Sequence, residues 1–125
     1  MRYLVDAMNV VGSRPDGWWR DRPAALRRLV RRLEAWSIAE DVEVTVALEH
    51  PLPIDSTVIT VAYAPAAAAN SADEQIIRLL RADEDPAGIL VVTSDATLAD
   101  RVRAAGAGTL SAGRFRDLLE DSGRR

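Results

Sequence analysis

The sequence predicts an α/β fold, a three-layer α/β/α domain with a mainly parallel central sheet. Three observations carry that prediction. Short β-branched runs alternate along the chain with segments of helical period, and the run 88–93 is apolar throughout, as in a parallel strand covered on both faces. The chain has 125 residues, 48% of them hydrophobic, enough for one buried core and not for two. Residues 1–125 are therefore expected to form a single domain.

The elements follow in order. Residues 2–6 read as the first strand, and over 23–38 the side chains of Leu26, Leu29, Val30, Leu33 and Trp36 share one helical face. The runs 42–48 and 57–63 are rich in valine, isoleucine and threonine and are bracketed by proline, so both predict strands. An alanine-rich stretch, 66–69, leads into Ser71-Ala72-Asp73-Glu74, whose S-x-x-E form is that of a capping box. The helix it opens runs through Ile76, Ile77, Leu79 and Leu80 and ends near Asp83. After the central strand 88–93 come a helix over 96–104, a short strand around Thr109 and a last helix over 114–120, with a frayed tail. No internal repeat interrupts the pattern.

Composition excludes several chemistries. Without cysteine there is neither a disulfide nor a thiolate metal site, and the single His50 excludes a histidine-rich zinc site, so any metal must be held by oxygen. All 16 basic residues are arginine. The absence of lysine removes a Walker A phosphate loop, a Schiff base and the lysine of a receiver-type phosphoacceptor, and no G-x-G-x-x-G follows the first strand. No apolar run approaches the roughly 20 residues of a membrane span, and the first residues enter a strand pattern directly. The expectation is a cytoplasmic protein with no membrane partner.

Ligands of open parallel sheets bind beyond the carboxyl ends of the strands. Asp6 closes the first strand and Asp95 follows the central one, so both are expected in that crevice. Asp73 and Glu74, in the first turn of their helix, can approach the same end, and Asp100 lies five residues beyond Asp95. Carboxylates converging without lysine repel one another unless a cation sits among them, and hard oxygen ligands favour magnesium or manganese. Each acid also has an ordinary reading: Asp95 as a helix cap, Asp73 and Glu74 as first-turn acids facing a helix dipole, Asn9 as a turn residue, Asp100 as a solvated partner of Arg101 or Arg103. That reading is weakest for Asp6, because the apolar strand before it has no local need of a charge.

The segments Val5-Asp6-Ala7-Met8-Asn9-Val10-Val11-Gly12, Ala72-Asp73-Glu74, Val91-Val92-Thr93-Ser94-Asp95 and Ser111-Ala112-Gly113-Arg114 resemble, in order and over nearly the whole chain, the NYN domain of the YacP-like type. The resemblance implies a PIN-like, Rossmann-related ribonuclease fold. It also implies that Asp6, Asp73 and Asp95 bind divalent metal, Mg2+ or Mn2+, with Asn9 the amide of the first motif. Glu74 and Asp73 share one turn, and which of them is the ligand stays open; Asp100 is a candidate for a second ion. The chain carries Ala7 where the family has glycine and Glu74 where it has a second aspartate. It is also short for a YacP-like protein.

The net charge is −3, yet seven arginines against two aspartates lie between Arg14 and Arg32. The loop containing Arg14, Trp18, Trp19, Arg20 and Arg22 offers aromatic rings to stack bases and guanidinium groups for phosphate. The competing reading has a tryptophan stapling the loop to the core; both hold if each tryptophan does one job. Arg27, Arg28, Arg31 and Arg32 fall opposite the leucines, a face suited to the RNA backbone or the ribosome. Ser94 and Thr93 are placed to orient a water or a phosphate oxygen. The leading expectation is a metal-dependent endoribonuclease acting on single-stranded RNA. The alternative is a catalytically weak RNA-binding or ribosome-associated module.

Overall fold

In the computed structural model, residues 1–49, 52–64 and 71–123 are described. His50, the alanine run 66–69, the Ser71 hydroxyl of the expected capping box and the last two arginines lie outside them. The strands are β1 (Arg2–Asp6), β2 (Glu43–Leu48), β3 (Thr60–Tyr63), β4 (Ile89–Val92) and β5 (Gly108–Leu110). The helices are α1 (Ala7–Val11), α2 (Arg22–Glu40), α3 (Ser71–Ala82), α4 (Ala96–Ala104) and α5 (Ala112–Gly123). Short 3-10 turns span Trp18–Arg20 and Pro86–Gly88.

The strands form one five-stranded sheet in the order β3-β2-β1-β4-β5, and every pairing is parallel. Side chains alternate across it as the period of a strand requires. Val5, Val44, Val46, Leu48 and Val92 enter the core under α1, α2 and α5, while Leu4, Ala47, Ile89 and Val91 enter the core under α3 and α4. Asp6 is two residues beyond Leu4 and so faces the α3–α4 layer. On the other layer Tyr3, Trp36 and Phe115 meet edge to face, with centroids 4.8 Å (Tyr3–Trp36) and 5.1 Å (Trp36–Phe115) apart, joining β1, α2 and α5.

The chain winds outward from β1 through β2 to β3, then returns to place β4 on the other side of β1. The topological switch point therefore lies between β1 and β4, and a crevice opens at their carboxyl ends. Two expectations about elements need correction. The strand expected over 57–63 begins only at Thr60, because the Ser56 hydroxyl accepts the N–H groups of Val58 and Ile59, both at 3.1 Å, while donating to Glu34 at 2.6 Å. The segment after Asp6, for which the sequence pattern predicts no helix, forms α1 before the arginine-tryptophan loop begins.

Candidate active site

Asp6 ends β1 with 6% of its surface exposed, and Thr93, just past β4, has 3% exposed. The Thr93 hydroxyl donates to Asp6 Oδ2 at 3.2 Å and accepts the Asp95 N–H, also at 3.2 Å. One hydroxyl thus ties the ends of the two central strands together across the switch point. Asp95 caps α4, its Oδ1 accepting the Leu98 N–H at 3.0 Å. Asn9 braces the same turn from the other side: its Oδ1 accepts the Ser94 N–H at 2.7 Å. The Ser94 hydroxyl accepts the Ala112 N–H at 2.9 Å, fixing the start of α5.

Asp73 is half-buried in the first turn of α3, and it joins Asp6 and Asp95 electrostatically. Burial, then the charge of Asp73 and more weakly that of Glu49, push the Asp6 carboxyl up to about 6, although the Thr93 hydroxyl and the Asn9 backbone N–H pull it partly back. The Asp73 carboxyl is also held above its ordinary range, by burial first, then Asp95, with Glu49 and Glu74 adding and Arg101 opposing. Glu49 directly follows β2 and is the acid that sequence reasoning missed. Its signal was available, because it stands directly after the apolar end of that strand.

Other expected residues lie elsewhere. Glu74 is exposed and pairs with Arg101 of α4 at 2.7 Å, which holds its carboxyl below the ordinary range. Asp100 is exposed on the outer face of α4 and pairs with Arg103 at 3.1 Å, so the structure does not bring it to the crevice. The buried face of α4 is made by Leu98, Ala99 and Val102, and Asp100 points roughly opposite. In the arginine-tryptophan segment the two tryptophans divide their roles. Trp18 packs on the core with the Arg22 guanidinium 5.3 Å from its ring centre, while Trp19 is 50% exposed. Arg20 is exposed, and Arg14 is paired with Glu120.

Four carboxylates in mutual repulsion, with no ammonium among them, are a hard-oxygen donor set that suits magnesium or manganese. Among the described residues no three acidic or histidine side chains close into a ready-made chelate. Magnesium does not need one, since it is commonly held by one or two carboxylates with water and substrate phosphate completing its shell. Asp6, Asp73 and Asp95 are the residues that could hold it.

The parallel sheet with acids at its switch point is an α/β arrangement, and its family match makes it a domain of the ribonuclease type. The model of the YacP-like NYN domain matches residues 3–125, and the chain belongs to that family. The crystal structure of Rae1 (YacP) from Bacillus subtilis superposes with a TM-score of 0.84 at 23% identity, covering 100% of this chain and 76% of that one. A point mutant of the same protein matches with the same score and identity over 99% of this chain and 77% of its own. At that identity the likeness shows the fold, the expected three-layer α/β architecture. No curated protein matches significantly.

Proposed function

We propose that the chain is a divalent-metal-dependent ribonuclease that cuts single-stranded RNA internally, with Asp6, Asp73 and Asp95 as the ligands of magnesium or manganese. The observation that carries this reading is the electrostatic coupling of three carboxylates from β1, α3 and the start of α4, two of them raised above their ordinary range at the switch point. Such mutual repulsion costs stability and is offset when a cation binds. The bound metal would supply the positive charge that stabilises a phosphodiester under attack by water.

The chain's own groups prepare that site. Thr93 orients Asp6 and anchors the Asp95 turn; Asn9 fixes the backbone of the same turn at Ser94. Asp73, flanking the buried face of α3, is the ligand in this reading, and Glu74 is committed to Arg101. Trp19 and Arg20, exposed beyond α1, offer a stacking surface and a phosphate contact to a single strand. The substrate partner is RNA, free or on the ribosome, in the cytoplasm.

The test is cleavage of a labelled single-stranded RNA by the wild type and Asp6→Asn, with manganese, with magnesium and with a chelator. Internal cuts that require both the metal and Asp6 support the reading. Salt-dependent RNA binding by both proteins with no cleavage by either would move it to the non-catalytic RNA-binding module.

A further inference from the structure

We propose that the cleft between α1, α2 and α5 is a binding site for a backbone phosphate of the RNA strand, separate from the acidic crevice. The proposal rests on the RNA-acting reading above for the identity of the polyanion. The cleft has a volume of about 170 Å³ and is lined by Trp18 and Leu29 on its apolar side and by Arg28, Arg32, Arg116 and Asp16 on its polar side. Three guanidinium groups against one carboxylate make it a positive concavity on a chain of net charge −3.

Arg116 is the built part of this site. Its side chain is only 14% exposed, and its Nε donates to the Ser13 hydroxyl at 2.6 Å and to the Val10 carbonyl at 3.3 Å. Those contacts close the carboxyl end of α1 and fix the guanidinium in place before any ligand arrives. Of the two carboxylates that act on it, Asp16 stands 3.9 Å away and Glu120 is paired with Arg14, while Arg14 and Arg32 add positive charge. Arg28 and Arg32, one turn apart on α2, have no hydrogen-bonding or ion-pair partner among the described residues. A desolvated, positioned guanidinium surrounded by further guanidinium groups is costly alone and matches the planar, bidentate recognition of phosphate.

The location gives the cleft a use. α1 carries the chain from Asp6 to Val10 and Val11 in the wall of the cleft, about 7.5 Å at the rise of a helix, so the two sites are neighbours around the same end of the sheet. Arg116 went unnoticed in the sequence because nothing in the α5 pattern marks it; only the fold of α1 brings it to Val10. Arg28 and Arg32 looked no different from Arg27 and Arg31, and the cleft is what separates them. Arg31 is paired with Glu34 at 2.7 Å.

The experiment measures binding of a labelled, unstructured RNA in chelator, where no metal-dependent cleavage can occur, as a function of salt. The proteins are the wild type, R28A/R32A and R27A/R31A. The proposal expects R28A/R32A to bind about 10-fold or more weakly, with a salt slope shallower by about 1, while R27A/R31A, which removes equal charge from the same helix, changes binding less than 3-fold. Both double variants replace exposed side chains, and circular dichroism confirms that they fold. Equal losses in the two would reduce the cleft to part of a general basic face and overturn the proposal, as would an unchanged R28A/R32A or a wild type that does not bind. Cleft-dependent binding by a protein that never cuts RNA would sink the ribonuclease reading and leave this site standing.

Discussion

The Thr93 hydroxyl donates to Asp6 Oδ2 at 3.2 Å from across the junction of β1 and β4. The Thr93 hydroxyl oxygen also accepts the Asp95 N–H, so a neutral side chain sets the spacing of two candidate metal ligands. Thr93→Val keeps the shape and deletes the bridge. It is expected to cost about 1–2 kcal/mol in urea unfolding, from the half-buried Asp95 N–H left without a partner, and to slow RNA cleavage at least 10-fold. Thr93→Ser, which restores the hydroxyl, should recover most of both losses.

The raised Asp6 carboxyl has a stability consequence with a definite sign. In the metal-free folded protein Asp6 holds its proton up to about pH 6, against an ordinary value of 3.8. Between those values the folded state binds more proton than the unfolded, so stability falls as pH rises from about 4 to about 6 and stays lower above it. Asp6→Asn should therefore stabilise the metal-free protein by roughly 1–3 kcal/mol at pH 7.5 and leave it unchanged at pH 4. Thermal melts in chelator check this. A variant less stable than the wild type at pH 7.5 would show that Asp6 is held by partners rather than strained by burial.

Asp73 and Glu74 share one turn of α3 and are expected to separate cleanly. Asp73→Asn removes a candidate ligand and should lower single-turnover cleavage by 100-fold or more. Glu74→Gln breaks an exposed pair with Arg101, and such pairs contribute little to stability. Its melting temperature and cleavage rate should stay close to wild type, within about 3-fold in rate. The reverse ranking would transfer the ligand role to Glu74.

Trp18 and Trp19 should separate affinity from stability. Trp18 packs against the core, so Trp18→Ala is expected to destabilise by about 2–4 kcal/mol. Trp19 is half exposed, so Trp19→Ala should leave unfolding within about 0.5 kcal/mol and weaken binding of single-stranded RNA by 5-fold or more. Fluorescence-monitored unfolding and anisotropy with labelled RNA measure the two effects.

Much of this architecture was legible in the residues. The apolar run at Leu4 and Val5 made the charge at Asp6 conspicuous, and the period of α2 showed in its leucines. α1 was not legible because five residues are too few to display a helical period against an apolar background. The shortened β3 depends on the Ser56 hydroxyl, held by Glu34 from a helix 22 residues earlier, a tertiary contact invisible to local propensity. At the site, Asp6, Asn9, Asp73 and Asp95 come to one end of the sheet as strand ends and a first turn allow. Asp100 does not, because spacing alone cannot say which side of α4 packs. Glu49 carries a similar signal, an acid directly after the apolar end of β2.

The central claim is that Asp6, Asp73 and Asp95 act together on RNA through a divalent ion. Its most direct test is single-turnover cleavage of a labelled single-stranded RNA against manganese concentration, by the wild type and by D6N, D73N and D95N. The account predicts saturable, chelator-sensitive cleavage by the wild type and a loss of at least 100-fold in each variant. Cleavage that survives the chelator, or that proceeds at the wild-type rate in any of the three, would contradict it.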